Sequence, residues 1–360
     1  MYIRILRRSQ PSHSCMVVYS ERAVTEAGED YYKNPVGTGP YIMTENVSGS
    51  HAAFTANPNY WGGIANQPCV DSILLKYYAD STTMFIDYEN GVLDMIFELG
   101  SSDLNRIISG EVENSYYQSS TAWDGMTLLF SASSDKLSDI RVRQAIAMAI
   151  DTDAVAQVAF GMLADTNIDG LLPPYTANRS SEDCRVAYDP EGAKALLAET
   201  EYASGLTLRM VVTNTEANTK AAEAINAFLS EIGVTVEIEA YDVPTAMPMI
   251  QGGESDLVLH SWGDCFDAGN AWGSFLSTAA NRSTNQGNSA LDEKINAGIY
   301  SVDDTVRDAA FEEVEAFIVE NCIVIPICYK NYACAYRPYV TDVYAAQLAS
   351  PDLRFFNVAD

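Results

Sequence analysis

The residues best equipped for chemistry lie between positions 256 and 270. Asp256-Leu257-Val258-Leu259-His260-Ser261-Trp262 has the apolar, branched character of a buried strand. It gives way to Gly263-Asp264-Cys265-Phe266-Asp267-Ala268-Gly269-Asn270. Open α/β sheets take their ligands beyond the carboxyl ends of strands, so a loop in this place is a candidate binding element. Trp262 offers an aromatic wall, Asp264 and Asp267 offer carboxylates, and Asn270 is a further polar contact. An ammonium group is well held by a desolvated carboxylate beside an aromatic face.

The same residues admit other readings. Asp264 and Asp267 form a conceivable glycosidase pair, although carboxylates three residues apart in one loop seldom flank a glycosidic bond. His260 and Cys265 suggest a nucleophilic couple, but strand alternation separates them and no orienting partner is evident. His260, Asp264, Cys265 and Asp267 together make a possible metal set. The plainest alternative is a loop that caps a helix and turns the chain.

Composition narrows the field. The chain has 360 residues, 48% of them hydrophobic, and a formal net charge of −28. That length suits about two domains. The charge argues against a nucleic-acid footprint, which needs clustered Lys and Arg, and against docking on anionic lipid. The seven cysteines, at 15, 69, 184, 265, 322, 328 and 334, contain no Cys-x-x-Cys pair, so zinc or a disulfide framework is not indicated. No cofactor motif appears: Asn34-Pro35-Val36-Gly37-Thr38-Gly39-Pro40-Tyr41 lacks the Lys and the following helix of a phosphate cradle and reads as a rigid bend. No apolar run reaches membrane-spanning length, and Met1–Arg8 is too short and too basic for an export signal.

The elements that must position the loop follow from periodicity. Strands are expected at Tyr41–Thr44, Ala52–Ala56, Val70–Tyr78, Leu93–Phe97 and Trp123–Ser131, with helices at Ser20–Gly28, from Ser81 to Gly91, and at Asp103–Ser109. Met1–Leu6 alternates like a strand, and His13 reads as a loop residue. Leu137–Asp151 places Val142, Ala145, Ile146, Ala149 and Ile150 on one helical face, with Ser138 or Asp139 as the cap. Arg141 and Arg143 in that helix suit structural ion pairing better than an anion clamp. Asp153–Phe160 and Tyr188–Leu197 are further helices, the latter capped by Asp189 with Pro190 in its first turn. Leu206–Val212, Thr219–Ile232 and Val234–Ala240 make a βαβ unit. A short helix at Thr245–Gln251 is broken by Pro248. Helices at Asn288–Tyr300 and Thr305–Glu320 and a strand at Ile323–Tyr329 finish the pattern.

Several of these blocks, in this order, resemble the family 5 extracellular solute-binding proteins, the peptide- and oligopeptide-type receptors of ABC importers. They are Asn34–Tyr41, Asn57-Pro58-Asn59-Tyr60-Trp61-Gly62-Gly63, Leu137–Asp151, Tyr188–Leu197, Val234–Ala240, Asp256–Trp262 and Ile325-Pro326. The resemblance implies an α/β, two-lobe periplasmic-binding-protein-like (type II) fold with hinge strands, closing on a ligand. It implies lobe I at 1–125, lobe II at 126–322 and a return to lobe I at 323–360. It also implies that an N-terminal portion of lobe I, carrying the export signal and a lipid-modified cysteine, precedes this sequence, and that lobe I therefore shows open sheet edges and exposed apolar surface.

On this resemblance the protein is no enzyme. It captures a peptide or similar small solute outside the cytoplasm, extracellular or periplasmic, and delivers it to the membrane subunits of an ABC permease. Its only tie to the membrane is the lipid anchor. The family's loop resembles Trp-x-x-Asp-x-x-Asp-Pro, whose first Asp takes the ligand amine in peptide-binding members. Asp264 matches that carboxylate and Asp267 the second, with one residue fewer after Trp262 and Ala268 in place of the proline. A secreted, glycosidase-like hydrolase using Asp264 and Asp267 is the alternative.

Overall fold

A computed structural model describes residues 20–33, 35–63, 67–181, 184–261, 267–343 and 356–359. The expectations for Met1–Leu6, His13, Asn34, Trp262, Asp264 and Cys265 lie outside the described residues. The chain forms two compact units. One comprises residues 1–120 and 332–360, the other residues 121–331.

In the first unit, α1 (Glu21–Ala27) is capped by the Ser20 hydroxyl. An antiparallel meander follows, of β1 (Tyr41–Val47), β2 (His51–Ala56) and β3 (Ser72–Lys76). Pairing puts Met43, Phe54 and Ile73 in one row across the sheet. Ile42 and Leu74 are exposed. Two of the motif blocks meet beside this sheet. Asn57 donates from its side-chain amide to the Gly39 carbonyl (3.0 Å) and from its backbone N–H to the Pro40 carbonyl (2.7 Å). Trp61 Nε1 donates to the Thr38 carbonyl (3.0 Å). The Gly-Thr-Gly-Pro bend is thus held by the block that follows it. Gly62 has a direct steric reason, since a Cβ there would lie 2.4 Å from the Tyr60 ring. Neither Gly37 nor Gly39 has positive φ, and a Cβ fits at both, so nothing in the unit explains why they are glycine.

α2 (Ser81–Glu89) is capped by the Asp80 side chain and buries Phe85 and Tyr88. Its last carbonyls, those of Tyr88 and Glu89, accept from the buried Arg337 guanidinium, which lies 4.3 Å above the Tyr88 ring. β4 (Met95–Ile96) pairs with the far end of β10 (Val324–Tyr336), and α3 (Ser101–Ile108) packs Leu104 and Ile107 inward.

The second unit is built on a sheet with the order β10, β5 (Tyr116–Phe130), β9 (Leu257–Ser261), β7 (Leu206–Thr213) and β8 (Val234–Tyr241). β6 (Ala164–Asp165) pairs with β10. β7 runs parallel to β8 and to β9, whereas β5 is antiparallel to β9. Side chains alternate across a strand, so this sheet feeds two cores. Met126, Leu128, Phe130, Leu208, Met210 and Val212 face one core. That side is covered by α4 (Ile140–Ala149), α5 (Thr152–Phe160), α6 (Pro190–Ala198) and α7 (Glu216–Glu231). Leu129, Val211 and Val258 face the other, beneath α8 (Val243–Gln251), α9 (Ala268–Gly273), α10 (Ser289–Tyr300) and α11 (Asp304–Glu320). Each Leu or Val buried this way contributes about 1.5–3 kcal/mol relative to exposure.

α8 runs through Pro248 unbroken, contrary to the expected interruption. The Pro244 carbonyl loses the donor that residue 248 would have supplied, but both prolines are exposed, so water can replace it.

Candidate functional site

β9 ends at Ser261, and its carboxyl end is where the chain leaves the sheet for the segment that the sequence singles out. Desolvation holds the half-buried His260 imidazole far below its ordinary range, down to about 4. It is neutral at physiological pH, which disfavours a cationic role for it.

The chain is described again from Asp267, and this residue is strongly fixed. Its carboxylate caps α9 by accepting from the Gly269 N–H (2.8 Å). Both oxygens accept from Arg307 Nη2, at 2.7 and 2.6 Å. The backbone adds a parallel bridge between Ala177 and Asp267, with the Ala268 N–H on the Ala177 carbonyl at 2.9 Å. Arg307 itself is oriented from three sides. Nη1 donates to the Gly298 carbonyl (3.0 Å), Nε to Asn178 Oδ1 (3.4 Å), and the guanidinium sits 5.2 Å from the Phe311 ring centre. Asn178, in the left-handed region at φ 61°, donates in turn to Asp308 (2.6 Å). Asn270 is exposed on α9, its N–H bonded to the Asp267 carbonyl.

A second tie joins α11 to α9. Glu315 lies two helical turns beyond Arg307 and is only 4% exposed. Its carboxylate accepts from the Ser180 N–H (3.1 Å) and lies beside the Trp272 side chain. Burial raises its carboxyl to about 7. α11 therefore holds the start of α9 through Asp267 and packs against its later part, where Trp272 shares a core with Phe311, Val314 and Ile318.

Of the four residues singled out for ligand contact, the structure places Asp267 as an anchor for the downstream end of the loop and Asn270 on the surface of α9. Trp262 and Asp264 lie outside the described residues. Among the described residues no group of three or more His, Cys, Asp or Glu is placed to hold a metal ion. Arg307, Asn178, Glu315 and Trp272 went unnoticed in the sequence. Arg307 meets Asp267 across 40 positions and Glu315 meets Ser180 across 135, and no local spacing signals such pairings.

Comparison with known proteins gives this geometry a context. Residues 8–283 match the profile of the bacterial extracellular solute-binding proteins, family 5 Middle. The chain is 24% identical over 334 residues to di/tripeptide-binding protein 2 of Pseudomonas aeruginosa, covering 90% of this chain and 62% of that one. It is 25% identical over 305 residues to heme-binding protein A of Haemophilus influenzae, covering 82% and 55%. It thus spans less than two thirds of either relative. The fold is similar to the crystal structure of the ABC transporter substrate-binding protein CtaP from Listeria monocytogenes. The TM-score there is 0.81 at 21% identity, over 92% of this chain and 69% of that one.

Proposed function

The chain belongs to the family 5 bacterial extracellular solute-binding proteins, and from that premise we propose that it is the solute-capturing component of an ABC importer. In this reading it works outside the cytoplasm, binds a peptide or a similar small solute, and hands it to the permease subunits. It performs no chemistry on its cargo. The observation that carries the reading is that β9 ends at Ser261 and that the chain is next held at Asp267, whose carboxylate is immobilised by Arg307. Trp262 supplies the aromatic wall, Asp264 receives the solute's amine, and Asn270 adds a polar contact. Asp267 holds the loop's downstream end through Arg307. Peptides are favoured among the possible solutes by the di/tripeptide-binding relative.

A hydrolase built on Asp264 and Asp267 has less support, because the Asp267 carboxylate is already engaged by Arg307 and Gly269. Calorimetric titration with di- and tripeptides, followed by mass spectrometry of the recovered ligand, separates the two. One-to-one binding with intact peptide is expected, and peptide cleavage would reject the receptor reading. Asp264→Ala is expected to weaken peptides with a free amine by about tenfold or more, the worth of one charge-assisted contact, while N-acetylated peptides and the melting temperature stay unchanged. Retained affinity for the free amine would remove Asp264 from that role.

A further inference from the structure

β5 is antiparallel to β9, so the start of its segment in the second unit lies beside the carboxyl end of β9. Asp124 occupies that place. Its Oδ1 accepts from the Ser261 hydroxyl at 2.5 Å and from the Gly125 N–H at 2.7 Å. Among the described residues, Oδ2 accepts no hydrogen bond and meets no cation. The strands here approach so closely that a Cβ on Gly125 would lie 2.8 Å from the Cys328 carbonyl oxygen, which fixes the backbone that carries Asp124.

This carboxylate is half-buried and, among the described residues, has no cation at ion-pair distance. Several other half-buried acids of the same unit have cationic partners: Asp256 meets Lys136, Glu239 meets Arg209 and Asp267 meets Arg307. No Lys or Arg among the described residues forms an ion pair with Asp124. His260 is held neutral by its burial. Asp165 and Lys330 also lie in the surroundings of Cys328, and the Lys330 ammonium rests 5.8 Å from the Phe160 ring centre. A carboxylate withdrawn from water without a counter-charge is costly, and the cost falls when a ligand supplies the charge. Ser261, which orients this one, is the residue immediately before the 262–266 segment.

We infer that Asp124, aimed by Ser261, is a second acidic contact for the bound solute and selects cargo carrying a cationic group, an ammonium or a guanidinium. The inference rests on the receptor reading and deepens it by naming a solute class. Ser261 acts as a positioning residue, because its hydroxyl occupies Oδ1 and leaves Oδ2 to the ligand.

The test compares Lys-Ala-Ala and Arg-Ala-Ala with norleucine-Ala-Ala, which matches the lysine peptide in size without its side-chain charge. Calorimetry is done on the wild-type protein, Asp124→Asn and Ser261→Ala. The wild type is expected to prefer the cationic peptides by about tenfold or more, as one charge-assisted contact allows. Asp124→Asn keeps the acceptor for Ser261 and should bring that preference close to unity with the norleucine peptide unaffected. Ser261→Ala should narrow it by about threefold, since only the aim of the carboxylate is lost. Peptide binding with a preference that survives Asp124→Asn overturns this inference alone. A wild-type protein that binds none of the peptides overturns the receptor reading for peptides and this inference with it. Thermal melting of each variant separates lost recognition from lost folding.

Discussion

Glu315 is an acid in an apolar core, and its protonation is coupled to folding. Burial raises its carboxyl from 4.5 to about 7, so between these values the folded chain keeps a proton that the unfolded chain has released. The stability it contributes is present below about pH 4.5 and is lost as pH rises through about 7. The predicted loss between pH 5 and 8 is on the order of 2 kcal/mol relative to Glu315→Gln, read by urea unfolding at each pH. A difference between the two proteins that does not change with pH would contradict the raised value. His260 acts in the opposite sense. Its depressed folded value gives a contribution present above about 6.5 and lost as pH falls through about 4. In Glu315→Gln the remaining trend should therefore be a fall in stability on acidification.

The ion pair of Asp267 with Arg307 is the other residue-scale test. It is bidentate, and the two side chains are 28% and 13% exposed. Arg307→Met is expected to cost about 1–3 kcal/mol, because Asp267 keeps its cap on Gly269 but loses its counter-charge and the Gly298 carbonyl loses a donor. Peptide affinity should fall in parallel, as the downstream post of the loop loosens. An unchanged dissociation constant would show that the post does not govern the loop.

Among the elements, α4 and α11 are joined by one residue of the Arg-Val-Arg motif. Arg141 pairs with Asp139 and is exposed. Arg143, two positions on, donates to the carbonyls of Leu137, Ser138, Asn321 and Cys322 and, among the described residues, has no carboxylate partner. A cation placed on the last carbonyls of α11 suits both its unpaired acceptors and its dipole. Arg337 does the same for α2. The motif is thus a joint between helices and offers no anion clamp. Arg143→Met is predicted to destabilise the protein by about 3 kcal/mol, as buried carbonyls lose their donors, while Arg141→Met stays within about 1 kcal/mol. Chemical denaturation of the two variants side by side checks this, and equal losses would refute the joint.

At the same scale one sees what the sequence reveals of its own fold. Helix starts are local events, and Asp139, Asp189 and Pro190 stand where their types require. The βαβ unit, with its clean periodicity, was equally readable. β5 and β10 extend well beyond their apolar runs, because Ser119, Ser120 and Asn331 are held by strand pairing and not by hydrophobicity. The candidate loop was found by its position after an apolar strand. Its supports were not, because Arg307, Glu315 and Asp124 look like ordinary surface charges until the fold brings their partners near.

For the whole molecule the dominant fact is a formal charge of −28 on 360 residues. Like charges that distant repel one another in the compact state, and salt screens them over about 10 Å at 0.1 M. The melting temperature is predicted to rise between about 10 mM and 300 mM sodium chloride. Association with Lys-Ala-Ala, measured by stopped flow, should slow over the same range because the field that draws a cation inward is weakened. A melting temperature indifferent to salt would mean that repulsion is already balanced by the local ion pairs.

The clamp of Asp267 by Arg307 and Ala177, with Ser261 moored to Asp124, fixes the chain on both sides of positions 262–266. Fixed posts of this kind make the sequence between them an exchangeable cassette: selection for new cargo can alter it, and a protein engineer can replace the pentapeptide, while the framework residues stay the same.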